Sequence, residues 1–115
     1  MSMNNEELTQ LIMEYFLLRG YQLEKDVFVE GKTGTVYKFD FVAKKKDSAL
    51  PIIVKNWNRT VGINVVIDAD RAAEDTNMSK PILIGWRFSD HAKSYANRMG
   101  ITLISISEIR KDVRP

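Results

Sequence analysis

Two neighbouring apolar runs are each interrupted by charge. The first is Val36-Tyr37-Lys38-Phe39-Asp40-Phe41-Val42, and the second is Leu50-Pro51-Ile52-Ile53-Val54-Lys55-Asn56-Trp57. A carboxylate or an ammonium in an apolar strand costs free energy unless something pairs with it. Side chains alternate along a strand. Val36, Lys38, Asp40 and Val42 therefore share one face of the first run, and Ile53, Lys55 and Trp57 share one face of the second. If those faces align, Asp40 and Lys55 converge on one surface. That places a carboxylate able to bind a metal beside a cation able to orient water or steady a phosphate. Mg²⁺ sites for phosphate chemistry use one or two carboxylates plus waters and substrate oxygens. A buried Asp40–Lys55 ion pair with a structural role accounts for the alternation equally well.

Other groups compete for attention. Asp70 and Glu74 are four residues apart, so on a helix they share a face. They read as a solvated acidic face near Arg71. Gly31-Lys32-Thr33-Gly34 lacks the longer loop of a P-loop and reads as a hairpin turn. His91, the only histidine, has no serine or acid spaced for a triad and reads as a surface helix residue. Lys44, Lys45 and Lys46 suit a solvated turn. With Lys38, Lys55 and Arg59 they also suit a basic rim for phosphates. Trp57 and Trp86 read as core or dimer-interface residues.

The elements that must position these groups follow from periodicity. Leu8, Leu11, Ile12, Tyr15, Phe16 and Leu18 give an apolar stripe at helical spacing. Asn4 or Asn5 caps it, Glu6 and Glu7 suit its positive end, and Gly20 stops it. This predicts a helix over 5–18. Residues 21–29 and 35–43 read as a hairpin around the two glycines. Residues 50–57 form a third strand whose Ile52-Ile53-Val54 core suggests burial on both faces. Residues 61–76 read as a helix, 81–86 as a short buried strand, and Ser89 as the cap of a helix ending at Gly100. Residues 101–104 are a last strand, with a terminal helical turn capped by Ser107 and running through Arg110. The order α-β-β-β-α-β-α-β predicts an α/β fold with a mixed sheet covered by helices.

The chain has 115 residues, 44% hydrophobic, which suits one domain over 1–115 with a real core. It has no cysteine, which excludes disulfides and thiolate sites and fits a reducing compartment. The N-terminus lacks the layout of a signal peptide, and no apolar run approaches a membrane span. A cytoplasmic location is the expectation. The net charge of +2 neither argues for nucleic-acid binding nor opposes it.

Taken in order, these pieces resemble the PD-(D/E)xK nuclease superfamily, and within it the Mrr-like restriction endonucleases and archaeal Holliday-junction resolvases. The resemblance rests on the acid-bearing first helix with Gly20-Tyr21, on Phe39-Asp40-Phe41-Val42, and on Ile52-Ile53-Val54-Lys55-Asn56-Trp57. It continues through Val61-Gly62, Pro81 to Ile84, Phe88-Ser89 and Gly100 to Ile104. It implies a restriction-endonuclease-like α/β/α domain, with Asp40 as the first motif acid and Lys55 as the lysine that positions the attacking water. Glu7 matches the N-terminal helix acid, so Asp40 and Glu7 are the implied metal ligands. The implied cofactor is Mg²⁺, the implied partner is DNA, and the implied assembly is a homodimer. Ile53 departs from the pattern, because it stands where the family has Glu, Asp or Gln and cannot ligate a cation. The expected function is a DNA-binding protein with degenerate, weak or lost phosphodiesterase activity, contacting DNA through Lys32, Lys38, Lys44, Lys45 and Arg59. Two alternatives remain: a noncatalytic interaction subunit, and an active endonuclease whose acid has migrated to Asp70 or Glu74.

Overall fold

Asn4 caps the first helix by accepting the Glu7 amide at 2.8 Å, so α1 runs Asn5–Leu18. Leu8, Leu11, Ile12, Tyr15 and Phe16 form its buried stripe. Full burial of each such side chain is worth about 1.5–3 kcal/mol. Gly20 takes a left-handed conformation (φ 86) just beyond the Arg19 cap and turns the chain into the sheet. The computed structural model describes residues 3–114, and the remaining elements are β1 (Gln22–Glu30), β2 (Val36–Lys45), β3 (Ser48–Lys55), α2 (Ile63–Asp75), β4 (Ile82–Gly85), α3 (Asp90–Met99), β5 (Thr102–Ser105) and α4 (Ile106–Val113).

The five strands lie in chain order. β1, β2 and β3 pair antiparallel, and β3, β4 and β5 pair parallel. The α1 stripe, Ile52, Ile84, Trp86, Ile106 and Ile109 fill one side of the sheet. Val66 and Ala69 of α2, Leu83, and Ala92 and Ala96 of α3 fill the other. The architecture is therefore the expected α/β/α sandwich. β3 is covered on both faces, with Ile52 toward α1 and Ile53 toward α2 and α3.

Four local expectations are corrected. β3 ends at Lys55, so Asn56 and Trp57 belong to a loop. Val61 is not helical but forms a bridge with Phe88. Ser105, not Ser107, caps the last helix by accepting the Glu108 amide, and that helix runs two turns instead of one. The fourth correction is in the pleat. Leu23, Phe41 and Ala43 pack on the α1 side, whereas Val27, Val29, Tyr37 and Phe39 pack on the α2 side. Strict alternation would put all of these odd-numbered residues on one side. The hairpin rolls over at Asp26, which has a left-handed backbone (φ 53), and at Asp40 across from it. Aspartate tolerates that backbone better than most residues.

The far end of the hairpin is clamped by α2. The Asp75 carboxylate accepts the Thr33 hydroxyl at 2.6 Å, the Tyr37 hydroxyl at 2.9 Å and the Thr33 amide at 3.1 Å. The Thr33 hydroxyl, above all, holds the Asp75 carboxyl below its ordinary value of 3.8. Gly31 lies under this clamp, and a Cβ there would overlap the carboxylate. Gly31→Ala is expected to displace Asp75 and lower unfolding free energy by about 1–3 kcal/mol, measured by urea titration. A carboxyl depressed on folding contributes stability above its unfolded value that is lost as pH falls through the folded one. Asp75→Asn should therefore flatten the loss of stability seen below about pH 4.

Candidate functional site

β2 and β3 pair from Lys45–Ser48 to Phe41–Ile52, and there the ladder stops. Beyond that point the Asp40 side chain takes over, its Oδ2 accepting the Val54 amide at 2.7 Å. Asp40 thus stands where the strands part, in a cleft of about 370 Å³. Asn5, Thr9 and Ile12 of α1 line one wall, and Lys25, Asp26, Val54 and Asn56 contribute to the rest.

The second oxygen of Asp40 is also engaged. Lys38 Nζ lies 3.7 Å from Asp40 Oδ1 and 3.3 Å from Asp26 Oδ1. Both carboxylates, Asp26 first, raise the Lys38 pKa above its ordinary value. With about half of each side chain of Lys38 and Asp26 exposed, the pair is worth at most about 1 kcal/mol. Its consequence is occupancy: an ammonium sits between the two acids of the cleft.

Lys55 does not join them. No ion pair within 4.0 Å links Lys55 to Asp40 among the described residues, so the expected structural ion pair is not formed. The Lys55 ammonium instead lies 5.1 Å from the centre of the Trp57 ring. Ile53 packs among the apolar residues facing α2 and α3.

The remaining acids lie elsewhere. Glu7 opens onto a groove of about 360 Å³ between α1 and α4, with Arg110 and Arg114. Asn5, Leu8, Thr9 and Ile12 are the α1 residues that face the cleft. Asp70 is only 5% exposed, bonded to Lys80 at 3.0 Å and to the Tyr95 hydroxyl at 3.3 Å. With Glu74 it lines a separate depression of about 230 Å³. Among the described residues no group of three or more His, Cys, Asp or Glu side chains could hold a metal ion.

The basic residues divide the same way. Lys44 pairs with Glu24, and Lys45 donates to the Arg19 carbonyl at 3.0 Å. Lys38 is held by Asp26 and Asp40. Lys32, at the hairpin tip, and Arg59, in the loop after β3, have no acid within 4.0 Å among the described residues. Asp26 was missed in the sequence, where it reads as an ordinary strand acid. Its position opposite Asp40 follows from the hairpin register, which the two flanking glycines hint at.

The fold has clear relatives among solved structures. The protein of unknown function AF1548 superposes with a TM-score of 0.80 at 19% identity, covering 91% of this chain and 65% of that one. A repair endonuclease from Pyrococcus abyssi gives 0.66 at 17% identity, covering 91% and 47%. EndoMS, in a structure described as an EndoMS–dsDNA2 complex, gives 0.61 at 17% identity, covering 91% and 45%. The chain thus spans less than two-thirds of the length of each. No curated protein sequence matches it. A family model described as a restriction endonuclease, the Mrr catalytic domain, matches residues 1–112. With its mixed five-stranded sheet between helices, the chain belongs to that restriction endonuclease family.

Proposed function

We propose that this domain binds DNA on a nuclease scaffold whose metal-dependent phosphodiesterase activity is weak or lost. One observation carries the reading: Asp40 is the only motif acid in the cleft, and both of its oxygens already have protein partners. Restriction-endonuclease-like domains generally use a divalent metal. Such an ion wants several oxygen ligands, one or two of them carboxylates that are free to bind. The donor set here does not fit. Oδ2 of Asp40 is committed to the Val54 amide, Oδ1 faces Lys38, and the position for a second acid holds Ile53 in the core. No catalytic step is therefore assigned to a metal in this cleft.

DNA binding is supported by family membership, by the likeness to EndoMS, which is described in complex with double-stranded DNA, and by cations that the protein leaves unpaired. Lys32 and Arg59 are the foremost of these among the expected contacts. Lys38, Lys44 and Lys45 would have to give up partners first, which makes them weaker anchors. In this reading the domain works in the cytoplasm as a homodimer. No helix of the described residues is long and apolar enough to cross a membrane.

The test uses supercoiled, branched and single-stranded DNA with Mg²⁺ or Mn²⁺, alongside gel shifts at several salt concentrations. The expected result is retention at low salt that falls steeply as salt rises, with cleavage absent or at trace level. Robust cleavage lost in Asp40→Asn would overturn the degenerate activity. No retention at low salt would overturn the DNA reading. Asn is the right control because Asp40 also straps β3. Asp40→Ala strands the Val54 amide and is expected to lower unfolding free energy by about 1–3 kcal/mol in urea titration, whereas Asp40→Asn keeps an acceptor.

A further inference from the structure

The loop between β3 and α2 is held at both ends. Asn56 Nδ2 donates to the Met3 carbonyl at 2.7 Å and to Asn5 Oδ1 at 2.9 Å, and Asn56 Oδ1 accepts Trp86 Nε1 at 2.9 Å. Further along, the Arg87 guanidinium donates to the Asn58 carbonyl. The Val61 amide donates to the Arg87 carbonyl at 2.8 Å, and the Ser89 amide to the Val61 carbonyl at 3.0 Å. Between these anchors Trp57 carries two cations. The Arg59 guanidinium carbon is 3.7 Å from its ring centre and the Lys55 ammonium 5.1 Å.

The two positive charges therefore lie within about 9 Å of each other, comparable to the Debye length at physiological salt. Like charges that close repel unless an anion relieves them. Among the described residues no carboxylate comes within 4.0 Å of either. Five other cations, Lys38, Lys44, Lys80, Arg19 and Arg114, do meet an acid within 4.0 Å. The surroundings add to the same sign. The same loop runs into the start of α2, whose Gly62 cap offers no side chain and whose first turn carries no acid. Trp57 Nε1 is a buried donor with no partner among the described residues.

We propose that Lys55 and Arg59, held on the Trp57 ring, form a seat for one backbone phosphate of bound DNA. Lys55 is then a phosphate anchor and not the residue that orients a water beside Asp40. The two cations are arranged in advance by the ring, so binding need not order two long side chains. The inference rests on the DNA-binding reading and names the contact that carries it.

Two measurements separate the seat from that reading. In the first, ¹⁵N-labelled protein is titrated with inorganic phosphate at constant ionic strength. The Trp57 indole signal, assigned with Trp57→Phe, is expected to shift saturably while that of Trp86 stays in place. Arg59→Ala should abolish the shift. In the second, affinity for a duplex oligonucleotide is measured by fluorescence anisotropy across salt concentrations. Arg59→Ala should lower the log–log salt slope by about 0.9, the value of one phosphate contact, and Arg59→Lys should restore it. Lys93→Ala, on the exposed face of α3, should leave the slope unchanged. DNA binding with an unchanged slope in Arg59→Ala and a silent Trp57 signal would overturn the seat and leave the DNA reading standing. A phosphate-responsive Trp57 without any DNA binding would overturn the DNA reading and leave an anion seat.

Discussion

The site depends on one hydrogen bond, from the Val54 amide to the Asp40 carboxylate. β2 and β3 stop pairing after Phe41 and Ile52, and a strand that leaves its neighbour exposes amides that must find acceptors. Asp40 supplies the acceptor for Val54 from its side chain, 2.7 Å away. A hydrogen bond to a charged group is worth about 1.5–3 kcal/mol, and the lower part of that range applies to a carboxylate one-third exposed. The bond lets the strands separate without loss of order. The separation opens the cleft, and the strap fixes the carboxylate inside it. It also sends β3 onward to end at Lys55 and begin the loop that carries Trp57 and Arg59.

The same bond gives Asp40 a structural task that does not depend on a metal. A carboxylate that closes a gap in the sheet is under structural constraint whether or not it binds an ion. Ile53, one residue before the strap, packs into the α2–α3 side of the core. An acid at that position would be buried at a cost of several kcal/mol unless paired. Core packing and metal binding thus make opposed demands on position 53, and the isoleucine here meets the demand of packing. Lys38 places its ammonium between Asp26 and Asp40.

Much of the scaffold was legible from residues. The Asn4 and Ser89 caps, the stop at Gly100 and the doubly covered β3 follow from local chemistry and periodicity. What escaped depends on geometry that periodicity does not encode. Alternation assumes a regular pleat, and Asp26 breaks it with a left-handed backbone, so the faces assigned to the hairpin hold on only one side of Asp40. A structural Asp40–Lys55 ion pair was one expectation, yet no such pair forms where the strands carrying them part. Glu7 lies on a helix that was foreseen, but it lines the groove beside α4, which was read as a single turn. The role of Asp75 joins residues 42 apart in sequence and has no local signature.

The central claim is that Asp40, strapped and neutralised, no longer forms part of a competent metal centre. It is tested most directly by calorimetric titration of the native chain with Mn²⁺, with Asp40→Asn as the control. The account predicts no saturable binding tighter than about the millimolar range reached by weak sites with few ligands. Micromolar binding that is abolished in Asp40→Asn would contradict it.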